Sequence, residues 1–176
     1  NPIIRMKNEK KDIPLPKNIF GKRLNSSGMD ISEKHNLDNL SKKLETFEGK
    51  KVHAHSLYMF RDKDDKKIVD VNSISSGVNI GSIQFDDIKK IQNSLKKNND
   101  DEWSKTAVIK RSTILNKVAD LIEKDPYELI FYLINEAGKT IQNAIDEIRE
   151  SVDFLRYYSE QAKEIIQEKD LDGQTG

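Results

Sequence analysis

The chain lacks cysteine, a surplus of charge of either sign, and any long apolar run. With no cysteine among 176 residues, this stretch has no disulfide, no thiolate metal site and no cysteine nucleophile. Its 30 basic residues balance 30 acidic ones, so we expect no nucleic-acid partner. The longest apolar run, Leu129–Ile134, is far shorter than the roughly 20 residues of a membrane span. Because no signal-peptide pattern is present either, we expect a cytoplasmic protein without a membrane span.

Core-forming residues are also scarce. Hydrophobic residues make up 35% of the chain, charged residues make up 34%, and the mean hydropathy is −0.74. This composition is poorer in apolar residues than a typical globular domain. It predicts a helical protein rich in surface, or a part of a larger protein whose burial is completed elsewhere. The chain begins at Asn1 rather than at methionine, so we expect one or both ends to be artificial or processed.

Residues 1–30 and 31–101 differ in their local patterns. In 1–30, prolines mixed with turn residues predict an extended arm or inter-domain linker. In 31–101, the periodicity predicts a short helix, a small β element and a second helix. Asp30 and Glu33 have the spacing of a capping box, which would start the first helix.

The strand predictions rest on short β-branched and aromatic runs between turn signals. Val52–Phe60, Ile68–Val71 and Val78–Ile83 are such runs, and they predict two or three short strands. Asp86 is predicted to cap the helix that follows them.

Residues 102–170 have strong helical periodicity, and 171–176 form a tail. A helix is predicted from Thr106, and Tyr127–Ala137 is apolar almost all round, which predicts a buried helix. A long helix is predicted over Thr140–Lys169. Its predicted inner stripe is Ile141, Ile145, Ile148, Val152, Leu155, Tyr158, Ala162 and Ile166.

Two motifs have simpler structural explanations than ligand binding. Ala137–Thr140 resembles the end of a phosphate-binding loop, but Leu133 stands where the first glycine is required, so a helix C-cap at Gly138 is preferred. His53 and His55 would share one face of a strand, yet a third ligand would have to come from a distant carboxylate. We therefore predict no metal site.

Acidic and aromatic residues recur at helical spacing. Asp146, Glu147, Glu150 and Asp153 are the right residue type for acid–base chemistry. A solvated face that pairs at i,i+3 or i,i+4 with Arg149 and Arg156 is the simpler interpretation. Glu150 flanks the predicted apolar stripe. The aromatic residues are predicted to be core rather than a base-stacking platform. They are Trp103, Tyr127, Phe131, Tyr132, Phe154, Tyr157 and Tyr158.

Five segments carry a family resemblance. Arg111–Ile122, Asn135–Thr140 and Ala144–Tyr158, in this order, resemble the early helices of aldehyde dehydrogenases. The last two look specifically like the proline utilization A branch, in which a proline dehydrogenase is joined to a pyrroline-5-carboxylate dehydrogenase module. Leu15–Gly21 and Asn25–Ile31 resemble the segment between those two modules.

The resemblance implies a fold that is mainly α with a small antiparallel β element. It would be a partial NAD-binding domain of an aldehyde dehydrogenase that lacks its parallel sheet, with residues 102–170 as the helical start of the domain. One departure is Asn72-Ser73, where the family normally has Asn-Pro.

The parent enzyme implied by the resemblance oxidises glutamate semialdehyde to glutamate with reduction of NAD. FAD would belong to an attached proline dehydrogenase domain. In that chemistry a cysteine thiolate attacks the aldehyde and a glutamate later activates water. We expect no catalytic residue, cofactor-binding residue or cofactor in this stretch alone, and whether it is itself an enzyme stays open. Glu150 matches a family position that lines the semialdehyde pocket, and is our predicted substrate-binding residue.

The expected partner is the remainder of the dehydrogenase module or a second copy of this chain. Helix faces meant for the missing sheet would otherwise be exposed. The alternative is a stand-alone helical interaction protein, or the relic of a split or decayed gene. Nothing in the chain resembles the DNA-binding region that some proline utilization A proteins have.

Overall fold

A computed structural model describes residues 14–55, 67–97 and 102–166. The predicted tail and parts of the predicted arm, first strand and last helix lie outside these ranges. None of the described helices is long and apolar enough to cross a membrane. A short 3-10 helix, Pro16–Asn18, precedes six α-helices and three strands. They are α1 (Lys34–Glu45), β1 (Val52–His55), β2 (Lys67–Asn72), β3 (Asn79–Phe85), α2 (Ile88–Lys97), α3 (Glu102–Lys105), α4 (Val108–Lys124), α5 (Tyr127–Asn135) and α6 (Ile141–Ile165).

Helices α4 and α6 pack closely because small residues line their contact. Ala119 of α4 and Ser159 of α6 are both fully buried. The Ser112 hydroxyl donates to the Ser159 carbonyl at 2.9 Å, and the Ser159 hydroxyl donates to the Ser112 carbonyl at 3.1 Å. These reciprocal bonds satisfy two buried hydroxyls, which would otherwise destabilise the interface.

Helix α5 joins α1 and α6 around the hydrophobic core. The core contains Leu40 of α1, Ile130 of α5, and Ala144 and Ile145 of α6. The prediction that the apolar α5 is buried all round is wrong in part, since Leu129 is 44% exposed. The core covers the side of α5 that faces α1 and α6, and Leu129 lies outside this contact.

The predicted inner stripe of α6 is only half right. Ile145 and Val152 are buried as expected, but Tyr158 is 58% exposed. Arg156 and Ser159 are buried instead. The reason is that this face of α6 packs against α4. Helix α4 supplies the hydrogen-bond partners of Arg156 and Ser159.

The small sheet is mixed, which corrects the antiparallel prediction. Its order is β1-β3-β2, with β3 parallel to β1 and antiparallel to β2. Gly81 makes the β1–β3 contact possible, because a Cβ at Gly81 would lie 2.0 Å from the Val52 carbonyl oxygen. Mainly α structure with a small sheet is confirmed. One strand pair of the sheet is nevertheless parallel.

The turn between β2 and β3 is attached to the end of α5. The Ser73 amide donates to the Val78 carbonyl and the Ile74 amide donates to the Asn135 carbonyl, both at 2.8 Å. A proline at position 73 has no amide hydrogen and would lose the first of these bonds. Ser73 therefore contributes a turn hydrogen bond that a proline could not make.

Two of the predicted helix caps are wrong. Asp30 accepts hydrogen bonds from the amide and hydroxyl of Ser32, two residues ahead of it, so it stabilises a turn before α1. These bonds lower the pKa of the Asp30 carboxyl. Asp87, rather than Asp86, accepts the Lys89 amide at the start of α2. Each of these helices begins slightly later in the chain than its predicted cap.

Candidate functional site

Glu150, the predicted substrate-binding residue, lies on an exposed face of α6. Its side chain is in the exposed class, and it points away from the buried residues Val152 and Ser159. At about 100° per residue, Glu150 shares its face with Phe154 and Tyr157. The carboxylate is thus accessible to a ligand or to another segment packed on this face.

The acidic residues around Glu150 have distinct partners. Glu147 pairs with Lys139 at 2.6 Å, and Asp146 lies 3.6 Å from Arg149 in the expected i,i+3 geometry. Asp153 instead accepts hydrogen bonds from the Ser26 amide at 2.7 Å and the Ser26 hydroxyl at 2.9 Å. The solvated-face interpretation therefore holds for Asp146, whereas Glu147 pairs with a lysine outside the helix and Asp153 has a structural role.

Asn25, Ser26, Ser27 and Gly28 form a docked segment, which we call the arm clamp. The Ser27 amide donates to Glu123 of α4 at 2.7 Å, so the clamp contacts both α4 and α6. Ser26 is only 3% exposed. This segment belongs to the predicted extended arm or linker, but it is docked on the helices. The one sequence feature that marked it was its likeness to the inter-module segment of the family.

Arg156 is the buried charge beneath the arm clamp. It donates to Asp120 at 2.9 Å and to Glu123 at 2.7 Å, both on α4, and to the Asn25 carbonyl at 3.4 Å. The prediction that Arg156 pairs within its own helix is wrong, because its side chain crosses to α4. Burial lowers the pKa of Arg156, but its two carboxylate partners outweigh this and raise it.

Glu123 connects Arg156 to the arm. Burial would raise the pKa of Glu123, but the hydrogen bonds from Arg156 and from the Ser27 amide outweigh burial and lower it. The carboxylate is therefore held ionised as a structural anchor, which makes it a poor general acid.

The described residues do not assemble a metal or dinucleotide site. No group of three or more His, Asp or Glu side chains in the described ranges could hold a metal ion. The His53 ring instead hydrogen-bonds Ser82 at 2.7 Å. The chain has no Gly-x-Gly spacing, which many dinucleotide-binding turns have.

The aromatic residues fall into two groups. Phe131 is buried and packs edge-to-face on Tyr132 at 5.3 Å, and the half-buried Tyr127 packs against the hydrophobic core, which confirms the core prediction for these three residues. The prediction is wrong for the second group, whose members are 41–58% exposed. They are Trp103, Phe154, Tyr157 and Tyr158. The exposed group on α6 lies opposite the α4 contact.

Comparison with curated proteins gives similar sequences over nearly the whole chain. The bifunctional protein PutA of Salmonella typhimurium is 33% identical over 168 residues, which is 93% of this chain and 12% of the relative. The 1-pyrroline-5-carboxylate dehydrogenase of Bacillus subtilis is 29% identical over 99 residues, which is 55% of this chain and 19% of the relative. The chain thus spans about an eighth of the PutA relatives that it matches.

Solved structures share the fold. A crystal structure of proline utilization A from Bdellovibrio bacteriovorus aligns with a TM-score of 0.73 at 22% identity, covering 88% of this chain and 16% of that one. A pyrroline-5-carboxylate dehydrogenase from Mycobacterium tuberculosis aligns with a TM-score of 0.69 at 16% identity, covering 92% of this chain and 30% of that one. The architecture is therefore that of one part of a larger dehydrogenase fold. A family model described as the aldehyde dehydrogenase family matches residues 60–175, and the chain belongs to this family.

Proposed function

We propose that this chain is the front part of an NAD-dependent pyrroline-5-carboxylate dehydrogenase module of proline catabolism, which oxidises glutamate semialdehyde to glutamate. The observation that carries the proposal is the 33% identity to a bifunctional PutA over 93% of the chain. Likeness to a separate 1-pyrroline-5-carboxylate dehydrogenase favours that module over the proline dehydrogenase part.

The chain alone is proposed to be inactive. Oxidation of an aldehyde in this family needs a thiolate to form the thiohemiacetal and a bound nicotinamide to take the hydride. The 176 residues contain no cysteine and no Gly-x-Gly spacing of the kind found in many dinucleotide-binding turns. Both components are expected in the remainder of the module.

Glu150 is proposed to bind the semialdehyde in the complete module. Its exposed carboxylate suits the amino group of the open-chain substrate, because a charge-assisted hydrogen bond is about twice as strong as a neutral one. The helix itself is rigidly placed by the Ser112–Ser159 contact and by Arg156. Glu150 is thus a substrate-binding residue on a fixed scaffold.

Exposed apolar faces support the remainder of the module as the partner. On α4, Ile114, Val118 and Leu121 lie at i, i+4 and i+7 and are 38–58% exposed. On α6, Phe154 and Tyr158 lie at i and i+4, with ring centroids 6.0 Å apart. Exposed apolar stripes of this kind mark surfaces that are covered in the assembled protein.

The test is an assay of NAD reduction with pyrroline-5-carboxylate. The 176-residue chain alone should give no NADH, whereas a polypeptide that also contains a cysteine-bearing remainder should be active. Turnover by the isolated chain would refute the account. In the active polypeptide, Glu150→Gln should raise KM about tenfold, the effect of losing one charge-assisted hydrogen bond. Asp146→Asn, which removes a neighbouring exposed acid, is the matched control and should leave KM unchanged.

The second candidate is a stand-alone helical interaction protein, favoured by the same apolar faces. It differs in what sedimentation should show. A module fragment whose missing partner is the rest of its own domain should self-associate through these faces. A monodisperse monomer that captures no dehydrogenase remainder would favour the stand-alone protein.

A further inference from the structure

A cleft lies between the arm clamp and the helical core. Its roof is formed by residues 26–29, and the accessible part of its floor by half-buried side chains of α5 and α6, including Tyr127 and Ile148. Glu150 does not line it, and the cleft is therefore separate from the proposed substrate-binding residue. Buried core residues lie directly beneath this floor, so the cleft has a preformed shape.

The volume of the cleft restricts what it can hold. It measures about 170 Å³, close to the engineered apolar cavity of about 150 Å³ that binds benzene. Typical pockets for larger ligands begin at about 300 Å³. A compact apolar group of benzene size fits within it, whereas most of a nucleotide or a peptide would extend beyond it.

The charges at the cleft favour an anion. Arg149 and Lys124 line it together with one carboxylate, Glu123. Glu123 is already neutralised by Arg156 and the Ser27 amide. Arg149 lies against the Gly28 backbone, and its carboxylate neighbour Asp146 is 3.6 Å away, which is longer than a hydrogen bond. The guanidinium therefore retains donors for a ligand.

We infer that this cleft binds a small monocarboxylate with a compact apolar body. The body packs on the floor at Tyr127 and Ile148, and the carboxylate pairs with Arg149 at the mouth. Arginine presents a planar fork of donors that matches a carboxylate in two parallel hydrogen bonds. The bound ligand contacts the arm clamp as well as α5 and α6, so binding also holds the arm in place.

Benzoate is the probe, and benzamide is its neutral counterpart of the same shape. In a nuclear magnetic resonance titration of the 176-residue chain, benzoate should give saturable shifts at the amides of Ser27, Gly28 and Arg149. Benzamide should bind about tenfold more weakly, because it cannot form the charge-assisted pair. This readout does not depend on dehydrogenase activity, so its outcome is separate from that of the assay above.

Three variants distinguish the contribution of charge to benzoate binding from that of cleft shape. Arg149→Gln should weaken benzoate binding about tenfold, and Ile148→Trp should abolish the shifts by filling the cleft. Lys117→Gln removes one exposed cation of α4 outside the cleft and should leave binding unchanged. Because Arg149 is 44% exposed at its side chain, its substitution should leave the fold intact.

Several results would overturn the inference. Equal binding of benzoate and benzamide would show an apolar cleft suited to a side chain from another segment. Unchanged affinity of the Arg149→Gln variant for benzoate would show that the arginine does not bind the carboxylate. Shifts that fail to saturate would show that no site exists.

Discussion

The α4–α6 layer and the three-stranded sheet are held together in different ways. In the helical layer, Ala119, Val152 and Ser159 have no exposed surface, and hydroxyl groups cross the contact. In the sheet, every residue of β1 is exposed, and β2 has only Val71 half-buried. Packing and side-chain hydrogen bonds therefore stabilise the helices. The sheet depends mainly on backbone pairing to β3 and on Gly81, which lets the backbones of β1 and β3 come close together.

The largest expected effect is on the helical core. Ile130→Ala removes a side chain that is 1% exposed, and it should lower the free energy of unfolding by about 2–5 kcal/mol. Ile68→Ala, the same change on β2 where the side chain is 61% exposed, should stay within about 0.5 kcal/mol. Denaturant unfolding followed by far-ultraviolet circular dichroism measures both. Similar losses would mean that the sheet is covered as well as the helices.

The second largest expected effect is on the close contact between the backbones of β1 and β3. Gly81→Ala would place a Cβ against the Val52 carbonyl and should separate β1 from β3. Gly77→Ala is the matched control, since its φ is +70° but no atom lies within 4 Å, and it should cost about 1–2 kcal/mol from strain alone.

Hydrogen exchange at the β1 amides distinguishes the two glycine variants. Protection should be lost in Gly81→Ala and retained in Gly77→Ala. Retained protection in both variants would contradict the parallel β1–β3 pairing.

A smaller effect is expected at the serine contact between α4 and α6. Ser159→Ala removes the hydroxyl that donates to Ser112 and accepts from Asn116 at 2.8 Å. Leaving these buried groups unpaired should cost about 1–3 kcal/mol. Thr113→Ala removes an exposed hydroxyl of α4 that donates to the Ile109 carbonyl. This control should change stability by less than about 0.5 kcal/mol, and an equal effect would argue against a buried contact.

The smallest expected effect is on the acid sensitivity of the arm clamp. The pKa of Glu123 is lower in the folded chain than in the unfolded chain, so its ionised form stabilises the fold above about pH 4.3. That stabilisation is lost as the pH falls through the lower folded pKa. Glu123→Gln should therefore reduce the pH dependence of stability below about pH 4.5, measured by unfolding at a series of pH values. An unchanged acid transition would show that Glu123 is not anchored in solution.

Much of the local structure could be predicted from residue patterns. The C-cap at Gly138 is confirmed, as are three strands near the expected positions. The long last helix is confirmed at its start, where the Thr140 hydroxyl accepts the Asn143 amide. These features depend on periodicity, turn residues and caps within a few positions of one another. Short-range rules suffice for them.

The candidate site could be predicted less well. Glu150 stays a prediction that rests on the family likeness, because an exposed acid on a charged helix has no pattern that marks it as a binding residue. The arm clamp escaped prediction because Ser26 and Asp153 are 127 positions apart. Arg156 looked like a surface residue for the same reason, since its partners Asp120 and Glu123 lie on another helix.

Residue patterns alone predict most of the helices and strands, the lack of a cysteine nucleophile in this stretch, and the likeness to aldehyde dehydrogenases. Folding in three dimensions puts β3 between β1 and β2, buries Arg156 and Ser159 of α6 while leaving Phe154 exposed, and places the arm over a cleft. These two kinds of feature arise over different distances along the chain. Helix and strand preferences arise between neighbours in the chain, whereas strand order, buried polar pairs and clefts arise between groups that meet only after folding.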